Sequence, residues 1–248
     1  MAPFFHLSVD DVFEGLVTAS DRGDALATDA MIGALDRLHA EFGMPVDLYL
    51  FAESRLHGLR RSLDELSAAV AADLRARPWL RLGPHAANPE TPPHAQAIPD
   101  LDATLRRLFA IIERLAGPAA RSSWVRLHEF SEAYETAPIL AAHGVEALLT
   151  TDKPVVSWRL PSAERELLGR RGRVRFRDIE FVRSHLRVEK LVADGVDRAA
   201  LPGRLRTIVD AHGFLTIFTH ETCFNDPRTI RMLHDLLEAC RVLGLRSS

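Results

Sequence analysis

Short apolar runs alternate along the chain with longer stretches whose apolar residues recur at helical spacing. Phe4 to Val9 is apolar and β-branched and stops at Asp10-Asp11, which predicts a buried strand delivering two carboxylates at its C-terminal end. Ala30, Ile32, Leu35, Leu38 and Phe42 then predict a helix that ends before Gly43, with Thr28 or Asp29 as its N-cap. Val46 to Phe51 reads as a second strand. Leu63, Leu66, Val70 and Leu74 carry a further helix, and Trp79 to Leu82 a third strand that runs into a loop rich in proline, residues 83–94.

The alternation goes on with a helix from about Leu101 to Leu115, a strand at Trp124 to Leu127, a helix at about Glu132 to Ala142 and a strand at Val145 to Leu149. Residues 153–190 depart from it. There Val155 to Leu160 and Val174 to Val188 read as strands around the basic turn Gly169 to Arg173, a hairpin-like insertion. A helix at about Arg198 to Ala211, a strand at Phe214 to Thr219 and a helix at Pro227 to Leu243 complete roughly seven βα units. Nothing interrupts the series, so the whole of 1–248 is expected to be one α/β domain. A parallel barrel accounts for the repeat, with an open doubly wound sheet as the alternative.

Composition narrows the function classes. With 47% hydrophobic and 26% charged residues the chain is expected to fold compactly, and a net charge of −3 gives no basic footprint for nucleic acid or anionic lipid. A small-molecule or oligosaccharide substrate is expected instead. Cys223 and Cys240 have no metal-type spacing, and the N-terminus has no basic region before an apolar one, so the chain is read as cytoplasmic.

In a βα barrel the chemistry sits where the strands end. The predicted strand ends carry Asp10-Asp11, His85, Arg126 with His128, Asp152, and His220-Glu221. Carboxylates and imidazoles on one rim are the ligand types for a divalent metal together with a general acid and base. Two adjacent carboxylates at the end of a buried strand call for a cation or strong donors in any case. Plainer roles account for other histidines. His143 and His212 each precede a glycine at a helix end, where a cation and a left-handed cap are both favourable. His39 and His234 fall within helices as surface or packing residues, and His6 is a mid-strand core histidine on the same face as Asp10.

These motifs, in this order, resemble the polysaccharide deacetylases of the NodB-homology, carbohydrate esterase 4 superfamily. Ser8-Val9-Asp10-Asp11-Val12 is similar to the first motif, Thr-Phe-Asp-Asp-Gly, and Gly83-Pro84-His85 stands where a His-x-x-x-His motif begins. Pro89 occupies the place of its second histidine. Val125-Arg126-Leu127-His128, Leu149-Thr150-Thr151-Asp152 and Phe218-Thr219-His220 follow where the family has an arginine motif, an acidic strand end and Leu-x-His. The resemblance implies a distorted (β/α)7 barrel around one divalent metal, Zn²⁺ ahead of Co²⁺, Ni²⁺ or Mn²⁺. It implies Asp10 as base, Arg126 as its partner, His220 as acid, and Asp11 and His85 as metal ligands. His128, at a strand end, is the preferred third ligand, with His94 and Glu90 on the loop as alternatives.

The expected activity is metal-dependent removal of an acetyl group from an N-acetylated sugar or surface-polysaccharide precursor. Two alternatives stay open: a carbohydrate-binding or assembly protein without catalysis, and a barrel metalloenzyme acting on a sugar phosphate bound by the arginines between 170 and 187. The alternation of Arg173, Arg175 and Arg177 with Val174, Phe176 and Ile179 favours a solvated hairpin face for that stretch over a phosphate site.

Overall fold

The computed structural model describes residues 3–130, 136–152 and 160–248. Strands β1 (Phe4–Val12) and β2 (Val46–Phe51) frame helices α1 (Glu14–Arg22) and α2 (Ala30–Phe42). A two-stranded hairpin, β3 (Glu53–Leu56) and β4 (Leu59–Ser62), precedes α3 (Ala68–Arg75), β5 (Leu80–Ala86) and α4 (Ile98–Ala116). Then come β6 (Trp124–Val125), α5 (Ala137–Ala142), β7 (Ala147–Leu149), α6 (Ser162–Arg171), β8 (Arg173–Phe176), β9 (Ile179–Val182) and β10 (Leu186–Arg187). Helices α7 (Val188–Ala193) and α8 (Leu201–His212), strand β11 (Phe214–His220), helix α9 (Pro227–Val242) and a short β12 (Arg246–Ser247) complete the chain.

The main sheet runs β10-β11-β1-β2-β5, every pair parallel. A second sheet runs β6-β7-β9-β8, parallel except for the antiparallel β8–β9 hairpin. The two join at one edge through the Leu82–Arg121 bridge and the 2.9 Å bond from the Ser122 amide to the Leu82 carbonyl. At the other edge β9 and β10, three residues apart, pair with β7 and with β11 and so carry one extended segment between the sheets. The result is a distorted parallel barrel. No helix among the described residues is long and apolar enough to cross a membrane.

Period-2 alternation in β1 sorts its side chains. Phe5, Leu7 and Val9 lie in the apolar core, whereas His6, Ser8 and Asp10 form a buried polar column on the opposite face. His6 does not reach Asp10. Four residues along a strand span about 13 Å, and His6 instead lies 3.4 Å from the Tyr49 hydroxyl and 3.8 Å from the fully buried Asp47 carboxylate. Tyr49 packs flat beside β5 because Gly83 has no Cβ, which would stand 2.9 Å from the ring.

Most predicted elements are present, and the differences have local causes. Asp29 is the α2 N-cap, accepting from the Ile32 amide at 2.9 Å. The hairpin of the 153–190 region turns at Arg177-Asp178, both at positive φ, and not at Gly169 to Arg173, where α6 ends at Arg171, Gly172 caps it and Arg173 opens β8. On it Arg173 and Arg175 are exposed and Val174 and Phe176 half-buried, the solvated face that the alternation predicts. The predicted strand at Val155 to Leu160 and the first part of the helix predicted from Glu132 fall outside the described residues, apart from Leu160. His143 pairs with Asp102 at 3.0 Å, and His212 accepts from His185 at 2.8 Å, each beside a left-handed glycine.

Candidate active site

Asp10 and Asp11 end β1, where strict alternation would send their side chains to opposite faces. The pairing of β1 with β2 slips between Val9 and Val12, and Asp11 adopts φ +61°, a left-handed conformation that aspartate tolerates better than most residues. This bulge brings both carboxylates to the same rim. Strain of this kind concentrates at functional positions.

Asp11 Oδ1 is buried and makes no well-aligned hydrogen bond, yet lies 3.1 Å from His85 Nε2 and 3.4 Å from His128 Nδ1. The two ring nitrogens are 3.3 Å apart. Three such atoms held this close need a shared proton or a cation among them. Ligands about 2.0–2.1 Å from a tetrahedral ion stand ~3.3 Å from each other, so the triangle has the edge lengths of a metal site, and the donor set fits a divalent cation. Burial works against ionisation of Asp11, but His128 and His85 outweigh it and hold the carboxyl far below its usual range.

The tautomer of His85 follows from its other nitrogen. Nδ1 lies 2.6 Å from the Arg126 carbonyl, which can only accept, so Nδ1 carries a proton and Nε2 is the nitrogen turned to Asp11, the one available to a cation. Phe51 sets its ring edge-on to both imidazoles, 5.2 Å from His85 and 5.0 Å from His128. His94 stands apart, 3.9 Å from the exposed Glu129, and Glu90 lines a small cleft beside the β3–β4 hairpin. Among the described residues neither joins the donor group of Asp11, His85 and His128.

Asp10 and Arg126 are both buried. Arg126 Nη1 donates to the two Asp10 oxygens at 3.0 and 3.1 Å and approaches Ser8 Oγ at 3.3 Å, and Nη2 donates to Ser184 Oγ at 2.9 Å. Its guanidinium also lies 4.0 Å over the Phe218 ring. A buried ion pair needs this many donors satisfied to be tolerated.

Asp10 is directly opposite His220 in the β1–β11 register. His220 Nδ1 donates to Glu189 Oε1 at 2.6 Å, and Thr219 Oγ1 donates to Glu189 Oε2 at 3.0 Å. Desolvation disfavours the imidazolium, but the Glu189 bond and the charges of Asp10, Glu189 and Asp11 prevail and raise the His220 pKa. In Glu189 burial opposes ionisation and the His220 bond overcomes it, lowering the pKa. Glu189 was not among the sequence candidates. It lies 31 residues from His220, in α7 just after the arginine-rich stretch, and the one signal for it is that a half-buried strand-end histidine needs a carboxylate partner.

The remaining strand-end acids are structural. Asp152 binds Arg187 at 2.7 Å. Glu221 accepts from the amides of Phe13, Glu14 and Gly15 at 2.8–2.9 Å, capping α1 and fixing the turn after the aspartates, while burial pushes its carboxyl up to about 7.

No protein-family model and no curated protein matches the chain. Solved structures do. The 4-alpha-glucanotransferase from Thermococcus litoralis aligns over 99% of the chain with a TM-score of 0.64 and 15% identity, and the chain spans only 37% of that protein. The Xyl-CE4 domain of a multidomain xylanase from the hindgut metagenome of Trinervitermes trinervoides aligns over 100% of the chain and 87% of its own length, with a TM-score of 0.53 and 10% identity. The chain shares the barrel fold of both. A peptidoglycan N-acetylglucosamine deacetylase gives the same picture, covering 100% of this chain and 86% of its own at a TM-score of 0.52 and 11% identity. Identities this low carry the fold and nothing finer.

Proposed function

We propose that the protein is a metal-dependent deacetylase that hydrolyses the acetamide of an N-acetylated sugar or surface-polysaccharide precursor. The observation that carries this reading is the triangle of Asp11, His85 and His128, with edges of 3.1–3.4 Å.

Asp11, His85 and His128 hold the cation. When bound, a divalent ion supplies Lewis acidity, which acidifies water and polarises an acyl carbonyl. Asp10 takes the proton of the attacking water, its carboxylate oriented by Arg126. His220, with Glu189 fixing Nδ1–H, presents Nε2 to the departing amine and protonates it. Acid and base thus come from adjacent positions of neighbouring strands, one paired with a cation and the other with an anion. Such pairing separates the two roles.

Protein loaded with Zn²⁺ is expected to release acetate from N-acetylated sugars, and chelation to abolish the release. A loaded, folded protein that releases none from monomeric or oligomeric N-acetyl sugars would refute the reading. The raised pKa of His220 means that the acid stays protonated to higher pH than a free imidazole, so the alkaline limb of the kcat profile should lie above about 6.5. Glu189→Gln removes the charge that raises it. The limb should then move to lower pH and kcat should fall ~10-fold or more, whereas a purely structural Glu189 would leave the limb in place.

A further inference from the structure

A second donor set lies on the same rim and contains the sulfur that the first lacks. The Glu189 carboxylate, the His220 imidazole and the Cys223 thiol lie within 4.8 Å of one another, all half-buried. Cys223 sits in the short turn Glu221–Asn225 that follows β11, and Glu189 begins α7 beside it. We propose that these three residues form a second, inhibitory site for a thiophilic divalent cation, of which Zn²⁺ is the physiological example.

The chemistry of the donors supports this. One carboxylate, one imidazole and one thiolate is a ligand combination suited to Zn²⁺, Co²⁺ and Cd²⁺, and the sulfur selects these ions over Mg²⁺, Ca²⁺ and Mn²⁺. Burial and the charge of Glu189 disfavour the Cys223 thiolate until a cation is present, while Asp10 and Asp11 act on His220 and Arg187 lies 4.0 Å from Glu189. Proton balance is explicit. Binding releases one proton from Cys223 Sγ–H and one from the His220 imidazolium, and both atoms then donate a lone pair to the ion, so occupancy strengthens as pH rises. The 2.6 Å bond between His220 and Glu189 gives way to bonds from each to the cation.

Binding at this site depends only on the donor set, but its effect on turnover rests on the deacetylase reading. Bound to the cation through Nδ1, His220 keeps its Nε2–H but is no longer an imidazolium, and a neutral imidazole is too weak an acid to protonate the leaving amine. Excess Zn²⁺ therefore halts the reaction that the first equivalent enables, which gives a bell-shaped dependence on metal concentration.

Co²⁺ separates the two sites because only one has sulfur. The other cysteine, Cys240, is fully buried in α9, with its thiol pushed up to about 12 by burial. Titrating the folded, metal-free protein with Co²⁺ should produce a near-ultraviolet thiolate-to-cobalt charge-transfer band as a second equivalent binds, and Cys223→Ser should lack it. No band at saturating Co²⁺, or the same band in Cys223→Ser, would overturn the second site. In the activity arm, acetate release at one equivalent of Zn²⁺ should match in parent and Cys223→Ser, while half-inhibition by excess Zn²⁺ should need ~10²-fold more metal in the variant. Equal inhibition in the two also overturns it. A parent that releases no acetate at any Zn²⁺ level counts against the deacetylase reading, and the cobalt band still decides the site.

Discussion

Asp10→Asn is expected to lower acetate release by ~10²-fold or more while the protein still takes up one equivalent of metal, the size of effect usual for loss of a general base. Asparagine keeps the shape of the side chain and cannot accept the proton. Metal uptake should persist because Asp10 is outside the donor triangle, committed instead to Arg126 through bonds of 3.0 and 3.1 Å. That same pairing adds a cost in stability. Arg126 is 1% exposed and would keep a buried charge without its counter-charge, a situation worth about 3–5 kcal/mol in other proteins. Ser8 and Ser184 remain as neutral partners and hold the loss toward the lower figure.

Steady-state rates, metal analysis and urea unfolding on the same preparation separate these effects. The rate is read only below the unfolding midpoint, so a folded Asp10→Asn with the parent's rate would remove Asp10 as the base. Arg126→Lys is the informative companion. It retains the charge and loses the fork that reaches Asp10 and Ser184 together, so it should lower kcat with less effect on stability than Asp10→Asn.

The legibility of the molecule follows the range of its interactions. β1, β5 and β11 are largely apolar runs buried for most of their length, and their ends, hence Asp10, Asp11, His85 and His220, could be placed from the sequence. Arg126 was legible for the same reason, although β6 is only two residues long. Helix α1 was not: its N-terminus has no local cap, and the carboxylate that caps it, Glu221, is over 200 residues away. The β3–β4 hairpin gave no signal because Arg55, Arg60 and Arg61 leave it without an apolar face. The arginines that dominate the pattern around 179–187 predict an insertion there, yet β9 and β10 are parallel members of the barrel, and α7 directly after them supplies Glu189 to His220. A partner chosen by three-dimensional proximity leaves no mark on hydrophobic periodicity.

The bulge at Asp11 is the clearest instance, since no pattern announces a left-handed residue inside a strand, and it sets the strictest test of the metal centre. Asp11→Asn is the right variant: asparagine tolerates φ +61° as aspartate does, whereas alanine would add about 1–2 kcal/mol of backbone strain and blur the result. The amide preserves the bulge, the approach to His85 and the fold, and takes away only the anionic oxygen at the apex of the 3.1 and 3.4 Å edges. Two neutral imidazoles remain, and two ligands without charge hold a divalent ion far more weakly than three with one anion. Metal content after dialysis should therefore fall from one equivalent to ~0.1 or below, and acetate release should fall with it, while unfolding in urea stays close to the parent. Uptake of one equivalent at the parent's affinity by a folded Asp11→Asn would show that the cation is held elsewhere, and the triangle of Asp11, His85 and His128 would then be a hydrogen-bonded cluster and not a metal site.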